Sequence, residues 1–120
     1  MEVLADFNEK QIRLLFGDDA SLMEQVLDIL QADIPAHLSS LDQAISSKAG
    51  DRVYEIAHTL KGSLANVGAE KGSSLAAHIL REAEELHYEN CRGLYSPLQE
   101  TTEIFLREFA AAVERRKEGT

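Results

Sequence analysis

Residues Asp51–Val67 read DRVYEIAHTLKGSLANV. Wound at about 100° per residue, Val53, Ile56, Ala57, Leu60, Leu64 and Val67 fall within one apolar arc about 100° wide. This is the pattern of a helix with one buried face. His58 then lies roughly 140° from the centre of that arc, Gly62 roughly 180° and Lys61 about 80°. The histidine therefore faces solvent, with the lysine stem along the surface and its amine near the imidazole. Gly62, four residues on, is the neighbour of His58 on the next turn. A glycine in mid-helix costs about 1 kcal/mol relative to alanine. Such a cost without a structural return marks a candidate site.

An exposed imidazole suits nucleophilic chemistry at neutral pH, because histidine titrates at about 6.5. If it accepts a phosphoryl group, a nearby cation stabilises the equatorial oxygens, and in-line attack needs open space on one side. His58, Lys61 and Gly62 supply nucleophile, charge and clearance. Spacing alone leaves a plainer alternative open, a solvated surface histidine beside an ordinary lysine.

The remainder of the chain is helical in pattern as well. No alternating strand run occurs, and two prolines and seven glycines punctuate 120 residues. A short first helix is expected from about Asn8, as N-cap, to Phe16, with Ile12, Leu15 and Phe16 as its stripe and Gly17 as its stop. A second runs from Asp18 or Asp19 to about Ser46, burying Leu22, Val26, Ile29, Ile34, Leu38, Leu41 and Ile45. Pro35 should kink or split it. Ala49-Gly50-Asp51 reads as a stop, a C-cap and a new N-cap. The third helix ends around Val67-Gly68, where Asn66 and Gly68 manage the helix end. A fourth extends from about Glu70 to His87 or Tyr88, with Leu75, Ile79, Ala83 and Leu86 inward. YENCRGLYSP reads as a loop, and Ser96-Pro97 as N-cap and first residue of a last helix. That helix buries Leu98, Ile104, Phe105, Phe109 and Val113 and runs to about Lys117. The expectation is an all-α domain: an antiparallel four-helix bundle under a short N-terminal covering helix, one domain over residues 1–120 with its core at about 7–117.

Composition narrows the function classes. The net charge is −9, from 21 acidic and 12 basic residues, which disfavours nucleic acid as a partner. The single basic cluster, Arg115-Arg116-Lys117, suits the dipole at a helix C-terminus. No apolar run approaches the ~20 residues of a membrane span, and MEVLADFNEK lacks a signal-peptide layout. One cysteine, Cys91, excludes an internal disulfide and fits a reducing cytoplasm; in a loop beside Arg92 it reads as a bystander thiol.

The stretch AHTLKGSLANVGA, Ala57–Ala69, closely resembles the signature of histidine-containing phosphotransfer (HPt) domains. GDDASLMEQVLDIL upstream is similar to the family's entry into its first bundle helix. The resemblance implies that His58 is the phosphorylated histidine, taking a phosphoryl group from the aspartate of one receiver domain and passing it to another. Lys61 matches the lysine that steadies the phosphoryl oxygens, and Gly62 the small position that admits the receiver's active site. Ser63 and Asn66 match variable positions and read as structural. One departure stands out. The fourth-helix position level with the histidine is often Gln or Glu in the family, and here it is Leu80. Ring orientation must then come from elsewhere, from His78, Glu82 or water, or be less fixed. The implied partners are receiver domains of response regulators or of a hybrid sensor kinase, docking around His58 and adjoining parts of the second helix, with the protein itself monomeric. With no glycine-rich phosphate loop, nucleotide fingerprint or Mg²⁺ carboxylate cluster, the chain resembles a carrier without a cofactor of its own. Magnesium would come from the receiver, and no kinase activity is expected.

Two other readings compete. A docking adaptor could keep the fold and lose the chemistry, against which stands the joint presence of His58, Lys61 and Gly62. Glu55-x-x-His58 and Glu84-x-x-His87, with Glu24 and Glu103, also fill the inventory of a di-iron carboxylate bundle. His58 points outward, however, and lies level with Leu80 rather than His87, a displacement of roughly 10 Å. His37, His78 and His87 read as polar-face histidines. Tyr54, one turn before His58, either packs beside its ring or is simply half-buried.

Overall fold

A computed structural model describes residues 6–119. Met1–Ala5, which opens the stretch read above for a signal peptide, and Thr120 lie outside the described residues. Five helices follow in order: α1 (Glu9–Phe16), α2 (Ala20–Ser46), α3 (Gly50–Asn66), α4 (Glu70–Glu84) and α5 (Tyr88–Glu118). The last four form an antiparallel bundle in which α2 meets α3, α3 meets α4, α4 meets α5 and α5 returns to α2. α1 covers one end. Asn8 caps it by accepting from the Gln11 N–H, Ile12 is buried, and Phe16 packs on Phe109 at 5.8 Å between ring centres. Leu15, expected in that stripe, is exposed instead. Phe7 packs on Phe105 and Phe109, which closes the same end.

α2 departs from expectation in register. Leu22 and Ile29 are 42% and 59% exposed, and Met23, Leu27 and Leu30 take the core positions. Two apolar stripes compete in this half of the helix. Only Met23-Leu27-Leu30 continues in steps of three and four into Ile34, Leu38, Leu41 and Ile45. The expected stripe needs a five-residue step from Ile29 to Ile34, which turns the helix away from its own core. Asp19 caps the helix through the Leu22 N–H. Pro35 does not split it, since the residue is on the exposed side, where water can satisfy a freed carbonyl.

The α2–α3 turn is also made differently from the sequence expectation. Ser47 occupies the C-cap, its hydroxyl donating to the Gln43 carbonyl, and Lys48 takes the left-handed conformation at φ 56°. Gly50 is already helical, and Asp51 lies in the first turn of α3 rather than at its N-cap. A Cβ at Gly50 would come 2.7 Å from the Tyr88 hydroxyl, so glycine serves close helix approach there. Gly68, at φ 76°, ends α3 as expected.

The largest difference lies at the last connection. α4 stops at Glu84, Leu86 reverses the chain at φ 60° with its side chain exposed, and α5 begins at Tyr88. YENCRGLYSP is therefore helical, and Ser96-Pro97 is interior to α5. Gly93 and Pro97 weaken it by about 1 and 3 kcal/mol. Against that, Cys91, Tyr95 and Leu98 are in phase with Thr102, Phe105, Phe109 and Val113, and all are buried. The Tyr95 hydroxyl donates to the Leu38 carbonyl at 3.0 Å, and Arg92 reaches the Asp42 carboxylate at 2.6 Å. Burial and these bonds to α2 override the local preference for a loop. Ile104 and Leu75 are half-buried rather than core.

At the far end of α5 the basic cluster does more than complement a dipole. Arg116 and Arg115 both reach Glu9 on α1, Arg116 also donates to the Gly17 carbonyl, and Lys117 pairs with Glu24 on α2.

Candidate functional site

The platform of the site is α3. Val53, Ile56, Ala57, Leu60 and Leu64 are buried against the bundle, and this turns His58 out to solvent on the opposite face. α4 holds the same stretch of α3 from one side. The Ser73 hydroxyl donates to the Lys61 carbonyl at 2.9 Å. One residue earlier, Gly72 lets Leu64 approach so closely that a Cβ there would lie 3.0 Å from its Cδ1. The start of α4 has Ala69 at its N-cap position, with no side-chain cap of its own. Asp6 supplies one, accepting from the Lys71 and Gly72 N–H groups at 2.8 Å each. Nothing in the sequence pattern around His58 signals these supports.

The three expected site residues are brought together. His58 is exposed, while Lys61 and Gly62 are half-buried. Among the described residues, the His58 ring and the Lys61 ammonium have no hydrogen-bond or ion-pair partner, so both stay available. A Cβ at Gly62 would meet nothing within 4 Å. The fold therefore does not require glycine at this position, in contrast to Gly68, whose φ of 76° favours it.

Around the imidazole, Tyr54 stands one turn back, its ring 6.2 Å away and nearly perpendicular at 82°. Asp51, Glu55 and Thr59 complete a shallow hollow beside it. Leu80 is buried and apolar. The polar groups expected to orient the ring in its place are engaged elsewhere. Glu82 accepts from Asn90 at 3.1 Å, contacts the His87 ring at 2.8 Å and pairs with His78 at 3.4 Å. The Asn90 hydrogen bond, with His87 behind it, holds the Glu82 carboxyl below the usual range.

This arrangement also disposes of the di-iron ligand set. Glu55 and His58 face solvent, Glu24 is bound to Lys117, and His87 is turned to Glu82. Among the described residues, no three His, Cys, Asp or Glu side chains come together as a metal site. Cys91, expected in a loop, is buried in α5. Its thiol donates to the Ile79 carbonyl, and burial pushes its pKa up.

Among the described residues no helix is long and apolar enough to cross a membrane. Residues 25–116 match the family model described as Hpt domain. No curated protein and no solved structure matches the chain.

Proposed function

The chain belongs to the Hpt domain family, and from that premise we propose that it carries a phosphoryl group on His58 between receiver-domain aspartates. The family gives a phosphotransfer-related role in two-component signalling, and Hpt domains in general interact with receiver domains and kinases. The observation that carries the finer reading is Gly62. It is a helical glycine whose Cβ would meet no neighbouring side chain within 4 Å among the described residues, one turn from an outward histidine with no hydrogen-bond or ion-pair partner among them.

In the forward step the lone pair of an imidazole nitrogen attacks the phosphorus of the receiver's aspartyl phosphate. An N–P bond forms as the P–O bond to the carboxylate breaks, and the aspartate departs as carboxylate. The proton on the other ring nitrogen stays with the ring, so attack by a second receiver's aspartate reverses the exchange. Lys61 offers its charge to the equatorial oxygens. The magnesium ion belongs to the receiver, and the chain needs no cofactor of its own. Cys91 as a free thiol accords with a reducing, cytoplasmic setting.

The docking surface in this reading is the exposed side of α3 with the adjoining flank of α2. On α2, Glu24 and Asp42 face α5, where they meet Lys117 and Arg92. Leu22 and Ile29 are exposed apolar residues on the other side of the buried stripe of α2.

The test is incubation with a phosphorylated receiver domain beside a His58→Gln variant. Acid-labile, base-stable label on the wild type and none on the variant is expected. No label from any of several receivers would favour the docking adaptor instead.

A further inference from the structure

Among the described residues the His58 ring has no hydrogen-bond or ion-pair partner. Leu80 offers none, and Glu82 is committed to Asn90, His87 and His78. Yet transfer in line with a receiver's phosphorus depends on where the ring nitrogen points, and misplacement of a reacting atom is costly.

Among the described residues the ring does meet one aromatic neighbour. Tyr54 precedes His58 by one turn, and helical side chains lean toward the N-terminus, which brings the imidazole over the Tyr54 turn. The rings stand 6.2 Å apart at 82°, the edge-to-face arrangement that aromatic quadrupoles favour. Tyr54 is 42% exposed and is not part of the buried face of α3, so the bundle does not require an aromatic there. Among the described residues its hydroxyl has no hydrogen-bond partner, which leaves the ring itself as the contributing part.

Granting the phosphocarrier reading, on which this rests, we propose that Tyr54 is the positioning residue for His58, its ring standing in for the missing polar partner. Tyr54 walls the imidazole on its N-terminal side, and Gly62 leaves the C-terminal side open. Tyr54 thereby restricts ring rotation, and the open side at Gly62 is left for the incoming phosphoryl group.

The experiment measures single-turnover transfer from a phosphorylated receiver domain, over a range of receiver concentrations, to wild type, Tyr54→Phe and Tyr54→Leu. Ring-proton NMR spectra of His58 accompany it. Leucine keeps the bulk on an exposed helix face, so the fold should persist. Tyr54→Leu is expected to lower the maximal rate about tenfold with half-saturation unchanged. It should also shift the His58 ring protons as the ring current is lost. Tyr54→Phe should restore both. A leucine variant at the wild-type rate would overturn the proposal, as would a phenylalanine variant as slow as leucine. A change confined to half-saturation would make Tyr54 a docking contact and overturn it equally. A wild type that accepts no phosphoryl group defeats the phosphocarrier reading and this inference with it, whereas defeat by the variants alone leaves that reading standing.

Discussion

The Ser73 hydroxyl donates to the Lys61 carbonyl at 2.9 Å, so α4 fastens α3 at the turn that presents Lys61 and Gly62. This is a bond from one helix's side chain to another's backbone, 12 residues away in sequence. It ties the stability of the α3–α4 pair to the rigidity of the site. Ser73→Ala should lower unfolding free energy by about 1 kcal/mol in a denaturant titration. A variant as stable as wild type would show the bond to be incidental.

Gly62 and Gly68 should respond oppositely to alanine. At Gly62 the added Cβ meets open space in a regular helix, so stability should hold or rise by up to about 1 kcal/mol. If the proposed docking holds, phosphoryl transfer from a receiver should nevertheless fall, because the methyl would enter the space left open for the partner. At Gly68 the backbone sits at φ 76°, and a Cβ would come 2.6 Å from Gln11. Gly68→Ala should therefore destabilise by roughly 1–2 kcal/mol. Thermal melts paired with transfer assays separate the two effects.

Lys61 has no ion-pair partner among the described residues, so its removal should leave the fold within ~0.5 kcal/mol of wild type. The rate of transfer to His58 should drop roughly tenfold, as charge stabilisation of the phosphoryl oxygens is lost. Rapid-quench measurement at saturating receiver checks this. An unchanged rate would remove Lys61 from the chemistry.

The clamp between α5 and α1 should be visible in the pH dependence of stability. The hydrogen bond from Arg116, with the charges of Arg116 and Arg115, holds the Glu9 carboxyl below its usual 4.5. A carboxylate depressed in the folded state stabilises fully above the unfolded value and loses that contribution as pH falls through the folded one. Glu9 is partly exposed, so Glu9→Gln should cost under ~1 kcal/mol at neutral pH. Its difference from wild type should shrink as pH drops below 4.5, as read by urea titrations across that range.

Much of the site was legible from spacing alone. A regular helix commits each side chain to a direction, and α3 has one unambiguous apolar face, so the outward position of His58 followed from Val53, Ile56, Leu60 and Leu64. Where two apolar faces compete, as in the first half of α2, periodicity could not choose between Leu22-Val26-Ile29 and Met23-Leu27-Leu30. Phase with the rest of the helix did.

At the start of α5, Gly93 and Pro97 made a loop the locally reasonable expectation. The opposing terms come from burial of Cys91 and Tyr95 and from bonds to α2, residues some fifty positions earlier. The reach of Asp6 to α4, the Ser73 bond to Lys61 and the commitment of Glu82 to His87 and Asn90 are of the same kind. By itself the sequence determined the helical class, the outward direction of His58 and the Tyr54 ring one turn before it, because these depend on helix period and on neighbours within a turn or two. The tertiary structure alone decided which face of α2 is buried, how far α5 extends and what Glu82 is bound to, because those depend on side chains brought together only by packing.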